Sequence, residues 1–242
     1  MWLVLVSALA GGLAGALVPR VAYRLSVPYG ASARSACELC SRPFPPGLIG
    51  WVHFNARCPG CSARLGPRSW WTVPAGAVSC GLLAWALRSV GVSVLLAFLV
   101  VAVVGVLLAA IDLACLRLPD PLVGFSGVVA LVLLGLAGDG RSFLRALVAA
   151  GVLGGAYLLL ALLPGANLGF GDVKLAAVLG LLLGWLGWPA VLLGGVLPHL
   201  INGPIALWIL VSGRAGRRTE LPLGPALLAG ALLAAVIAGT AL

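Results

Sequence analysis

Residues 91–111 read GVSVLLAFLVVAVVGVLLAAI, twenty-one positions without a charged side chain, and Asp112 follows at once. That length matches the roughly 20 apolar residues an α-helix needs to cross the hydrocarbon of a bilayer. Similar runs recur on both sides and place spans at 1–18, 72–87, 91–111, 121–138, 144–163, 173–187, 189–211 and 222–241. Of the 242 residues, 62% are hydrophobic and 9% charged, where a soluble domain carries about 25% charge. A water-soluble fold cannot hide so much apolar surface. In lipid every backbone group must pair internally, and the Leu, Ala, Val and Gly runs lack the alternation of a membrane barrel. The expected fold is an all-α integral membrane bundle of about eight transmembrane helices.

The sixth span is short, yet 173–211 is too long for one crossing and is interrupted by Gly184, Trp185, Gly187, Trp188 and Pro189, so two spans with a tryptophan-rich interfacial turn are expected. Residues 1–18 have no basic residue before the apolar run and lack the n-region of a cleavable signal, so they are expected to remain as the first span. Gly11, Gly15, Gly151 and Gly155 are small residues that would let helices approach closely.

Basic residues collect in cytoplasmic loops. With the amino terminus outside, twelve of the fifteen face inward: Arg20, Arg24, Arg34, Arg42, Arg57, Arg64, Arg68, Arg117, Lys174, Arg214, Arg217 and Arg218, leaving Arg88, Arg141 and Arg145 outward. Both termini then lie outside and residues 19–71 in the cytoplasm. The net charge of +9 sits in loops beside spans. Its natural partner is membrane lipid, and nucleic-acid binding is not expected.

Residues 19–71 hold Cys37-Glu38-Leu39-Cys40 and Cys58-Pro59-Gly60-Cys61, two C-x-x-C pairs with 17 residues between them. That spacing suits a four-thiolate zinc site, and a reducing cytoplasm disfavours disulfides. Four sulfurs fill the coordination sphere, so the zinc is structural and holds together a segment too small for its own core. His53 lies between the pairs but is not needed as a ligand. Cys80 and Cys115 have no partner at metal-binding spacing and read as small apolar residues. The chain thus divides into a first transmembrane helix at 1–18, a cytoplasmic four-cysteine loop segment at 19–71 and a membrane-embedded domain at 72–242.

Four aspartates and two glutamates are the only acidic residues. Asp139 beside Gly138 and Gly140 fits an outward turn, Glu38 a cysteine knuckle and Glu220 the last inward loop. Asp112 ends the third span and Asp172 starts the sixth after Gly169-Phe170-Gly171, both at the cytoplasmic edge. Two carboxyls brought together there could share a proton and activate water, as in an aspartic protease dyad. Gly169 and Gly171 would let an extended substrate lie close to that segment. The other reading makes both aspartates helix-end residues with favourable dipole contacts.

The segment Gly169-Phe170-Gly171-Asp172-Val173-Lys174-Leu175 resembles the catalytic GxGD segment of the type IV prepilin peptidases. Asp112, Leu118-Pro119-Asp120, Tyr23-Arg24-Leu25, the paired cysteines and Leu221-Pro222-Leu223-Gly224-Pro225 match further features of that family in order. The resemblance makes 72–242 an aspartic peptidase domain with Asp112 and Asp172 catalytic and Gly169, Gly171, Asp120 and Lys174 supporting. It implies prepilin or pseudopilin substrates, cut after a glycine that ends a basic leader, and a multi-pass protein of the bacterial cytoplasmic (inner) membrane whose active site faces the cytoplasm. Relatives in that family also methylate the new amino terminus with S-adenosylmethionine. Here the loop between Cys40 and Cys58 is short and lacks the family's acidic and asparagine-bearing stretch, and Arg68-Ser69-Trp70-Trp71 lacks the usual glutamate. Methylation is therefore less firmly implied than proteolysis.

Two other readings compete. In a transporter, Asp112, Asp172, His199 and Asn202 would line an ion path. Pro198 and Gly203 instead suggest a kink whose freed backbone groups His199 and Asn202 would satisfy. An inactive zinc-loop assembly protein would keep the fold without the chemistry, which the intact aspartates argue against.

Overall fold

Each apolar run becomes helical in the computed structural model, which describes residues 1–163, 168–212 and 222–241. Arg214, Arg217, Arg218, Glu220 and Leu221 lie outside the described residues. The helices are α1 (Trp2–Leu25), α2 (Leu48–Trp51), α3 (Ser69–Ala86), α4 (Val92–Cys115), α5 (Asp120–Gly135), α6 (Gly140–Leu162), α7 (Phe170–Leu186), α8 (Trp188–Val211) and α9 (Gly224–Gly239). Among the described residues α1, α4, α6 and most of α8 are long and apolar enough to cross a membrane, and α5 and α9 are shorter apolar helices. The chain is a multi-pass membrane protein.

Its surface is inverted relative to a soluble bundle. On α1 the leucines Leu5, Leu9 and Leu13 face outward while Gly11, Gly12 and Gly15 are buried. The buried glycines set the helix pairing. A side chain on Gly11 would strike the backbone of Gly76, one on Gly76 would strike Gly11, and one on Gly15 would strike Thr72, so α1 lies directly on α3. The α6–α7 pair is similar: a Cβ on Gly184 would come 2.5 Å from the Ala149 side chain, and one on Gly180 would come 2.7 Å from the Ala149 carbonyl. Gly151 and Gly155 face open space, so the sequence expectation for them fails, and Gly154 between them makes the close contact with Ala177. The glycine facing a partner is fixed by helical phase, which a run rich in glycine does not reveal.

The largest core joins α3 to α9 through leucines such as Leu87, Leu108, Leu134, Leu175, Leu183 and Leu227. A second cluster, including Val18, Ala22, Ala110 and Ile111, seats the end of α1 against α4. α1 runs seven residues beyond the apolar stretch because its charges are satisfied within the protein. Arg20, 3% exposed, donates from Nε to the Gly50 carbonyl at 3.1 Å and lies 5.0 Å from the Phe44 ring. Arg24 donates to the Arg34 carbonyl at 2.8 Å and stacks 3.7 Å over Trp51. The turn expected before Trp188 is present, with Gly187 at φ 132° between α7 and α8. α8 continues through Pro198, and His199 Nδ1 lies 3.0 Å from the Gly195 carbonyl one turn back, in keeping with a structural role. Asp139 caps α6 by accepting the N–H groups of Arg141 and Ser142, which together with the Ser142 hydroxyl hold its carboxyl below the usual range.

Candidate active site and metal centre

One end of the bundle gathers the end of α4 and the starts of α5, α7 and α9. α4 stops because Leu116 turns left-handed (φ 53°) and its N–H closes on the Asp112 carbonyl. This leaves Asp112 in the last turn, 4% exposed. Its Oδ2 accepts the backbone N–H of Gly224 at 2.9 Å. That donor lies in the first turn of α9, where N–H groups have no partner within the helix. A Cβ on Gly224 would sit 2.8 Å from the same oxygen, so the close approach requires glycine.

Asp172 lies in the first turn of α7, where its N–H bonds the Gly169 carbonyl at 3.0 Å; its side-chain Oδ1 is buried and has no partner among the described residues. Asp112 and Asp172 line the same cavity of about 450 Å³, together with Asp120, Gly169 and Gly171. Gly169 borders Asp172, whereas the space beside Gly171 is taken by Leu118, with 2.9 Å from a Cβ to the Leu118 side chain. Gly171 therefore lets Leu118 pack closely against the start of α7. Asp120 opens α5, and its Oδ1 accepts from Lys174 Nζ at 2.7 Å, a half-exposed ion pair between the starts of α5 and α7.

Val27, Pro28 and Tyr29, which follow α1, form another wall of the cavity. Arg117 donates to the carbonyls of Val27 at 3.0 Å and Pro28 at 2.8 Å and stacks 5.2 Å from Tyr29. Sequence reading counted Arg117 only as a topological charge. It also passed over Tyr157, whose buried hydroxyl has no partner among the described residues and whose ring lies 5.6 Å from that of His199.

The four cysteines form a second centre. The Sγ atoms of Cys37, Cys40, Cys58 and Cys61 lie within 4.8 Å of one another. Two hairpins built alike present them. In the first, Cys37 N–H bonds the Arg42 carbonyl, Ser41 turns left-handed (φ 55°) and Ala36 bridges Pro43; in the second, Cys58 bonds Ala63, Ser62 has φ 57° and Arg57 bridges Arg64. Backbone N–H groups of Cys61 and Gly60 hold the Cys58 thiol down at about 6, and Gly60 N lies 3.4 Å from its sulfur. Converging sulfurs with amide donors around a thiolate are what a metal needs. His53 stands apart, its Nδ1 accepting from Asn55 N–H at 2.9 Å.

A model of the type IV leader peptidase family matches residues 94–240, which include all three cavity aspartates and Gly224. The chain belongs to this family. The prepilin leader peptidase/N-methyltransferase of Aeromonas hydrophila is 31% identical over 214 residues, covering 84% of this chain and 69% of that protein. The protein of the same name from Burkholderia pseudomallei (strain 1026b) is 32% identical over 219 residues, 86% of this chain and 67% of its own length. No solved structure matches. As a type IV leader peptidase the chain is an enzyme that cleaves peptide bonds, and the cysteine hairpins lie outside the residues matched by the family model.

Proposed function

We propose that this protein removes the basic leader of prepilins and pseudopilins by an aspartic mechanism, with Asp112 and Asp172 as the catalytic pair. The observation that carries the reading is the shared cavity: three of the six acidic residues border one space at one end of the bundle, and Asp112 and Asp172 among them come from helices far apart in the chain. The ionised carboxyl takes a proton from water as that water attacks the scissile carbonyl. The protonated one polarises the carbonyl oxygen and then protonates the leaving amine. Gly224 fixes one oxygen of Asp112 through its N–H. The Asp120–Lys174 pair holds the starts of α5 and α7 together.

In this reading the eight long helices all cross the cytoplasmic (inner) membrane, with both termini outside and the cavity at the cytoplasmic interface, where a substrate with an apolar helix presents its leader junction. The segment at 19–71 holds structural zinc through Cys37, Cys40, Cys58 and Cys61. Bound there, the ion would supply a cross-link between the two hairpins and no chemistry. The domain at 72–242 carries the peptidase. Co-expression with prepilins from the same source, followed by sequencing of the mature amino termini, tests the function. Cleavage after the leader glycine is expected. A methylated terminus would add S-adenosylmethionine as a cosubstrate, and uncleaved prepilin beside well-inserted protein would refute the reading.

A further inference from the structure

The second cysteine hairpin carries a feature that the first lacks. At equivalent positions in the two hairpins, Ala36 bridges Pro43 in one and Arg57 bridges Arg64 in the other. Like charges paired across a bridge repel, and the first hairpin makes the same turn without them. Arg57, Arg64 and Arg68 line one cavity of about 320 Å³ with Asn55, Ser69 and Trp70. Arg57 bonds the Ser62 carbonyl at 3.3 Å. Among the described residues the ion pairs are Arg34–Glu38 and Lys174–Asp120, so none of the three has a carboxylate.

The cavity lies where α3 begins. Arg68 is the N-cap and caps no N–H with its side chain, so the first amides of α3 add positive potential to that of the guanidiniums. Trp70 is 71% exposed, and from Thr72 to Leu87 the chain has no charge. A tryptophan at the start of an apolar membrane helix marks the headgroup level. The site therefore combines three uncompensated guanidiniums, helix amides and an interfacial ring.

We infer that this cavity binds the phosphate of an anionic phospholipid headgroup, with Arg57, Arg64 and Arg68 as its ligands. Arginine suits the role because its planar fork pairs with phosphate oxygens in bidentate fashion. The same charges would repel a basic leader. The site does not depend on the peptidase reading.

The test uses the full chain in neutral detergent, with bound lipid measured by native mass spectrometry during titration with phosphatidylglycerol or phosphatidylcholine. Retention of phosphatidylglycerol should fall on the order of fivefold for each arginine removed in Arg57→Ala, Arg64→Gln and Arg68→Gln. Arg57→Ala places in the second hairpin the residue the first has at that position, so folding should survive. Arg88→Gln, near the opposite end of α3, should retain lipid as the parent does. Unchanged retention in the pocket variants, or equal loss in Arg88→Gln, overturns the proposal. Displacement of the lipid by millimolar inorganic phosphate overturns it in favour of a soluble anion.

Discussion

The backbone N–H of Gly224 donates to Oδ2 of Asp112 at 2.9 Å, joining residues 112 positions apart in the sequence. Gly224→Ala would put a methyl carbon 2.8 Å from that oxygen and push the carboxyl aside. A displacement near 1 Å at a reacting group costs about 100-fold. Prepilin processing should fall by roughly that factor in membranes holding parent amounts of protein. Near-parent processing would show that the contact does not position Asp112.

Asp112→Asn and Asp172→Asn should each lower processing by about 10²–10⁴-fold, the contribution expected of a proton-transferring side chain. The double variant should lose little more, because the two carboxyls act as one unit. Independent, additive losses would argue against a shared water. Residual activity near the parent in Asp172→Asn would exclude the aspartic mechanism.

Asp120–Lys174 is half exposed, so its removal should cost less than about 1 kcal/mol of stability. Asp120→Asn and Lys174→Met should slow processing only a few-fold, on the order expected for a lost surface ion pair. Exchanging the two, with Asp120→Lys and Lys174→Asp together, should recover part of the rate. Failure to recover in a well-inserted protein would mean that the charges serve more than the bond between them.

Protein prepared without chelators should contain about one zinc per chain, as four-thiolate sites do. Cys58→Ser should release it and expose the hairpins to protease between Cys37 and Leu65. Metal analysis of parent and variant checks both points, and a zinc-free parent would remove the claim.

A cytoplasmic loop at 19–71 predicts that a periplasmic reporter fused at Gly47 stays inactive. Activity there would reverse the orientation and put the cavity on the other side of the membrane.

The aspartates were legible in the sequence because carboxyls in so apolar a chain are few, and Asp112 and Asp172 do border one cavity. The cysteines were legible through spacing. The end of α1 was not: Arg20 and Arg24 read as loop charges, and only the fold supplies the carbonyls and aromatic faces that keep them helical. Gly224 appeared in a motif, yet its contribution is a backbone N–H, which leaves no side-chain signal. The shared Cys-x-x-Cys-Ser of the two hairpins was legible, whereas their common backbone bonds and the left-handed turns at Ser41 and Ser62 emerge only in the fold.

Gly180 and Gly184 let α7 lie directly on α6, and Asp172 stands in the first turn of α7. Asp112 rides on α4, which packs with α1, α3 and α5. The gap between the two carboxyls is therefore set by how α4 and α7 are held together, through α5, which packs against both and adds the Asp120–Lys174 pair near the site, and through α9, which also packs against both. A change in the tilt of α5 or α9 would therefore alter that gap without unwinding a helix.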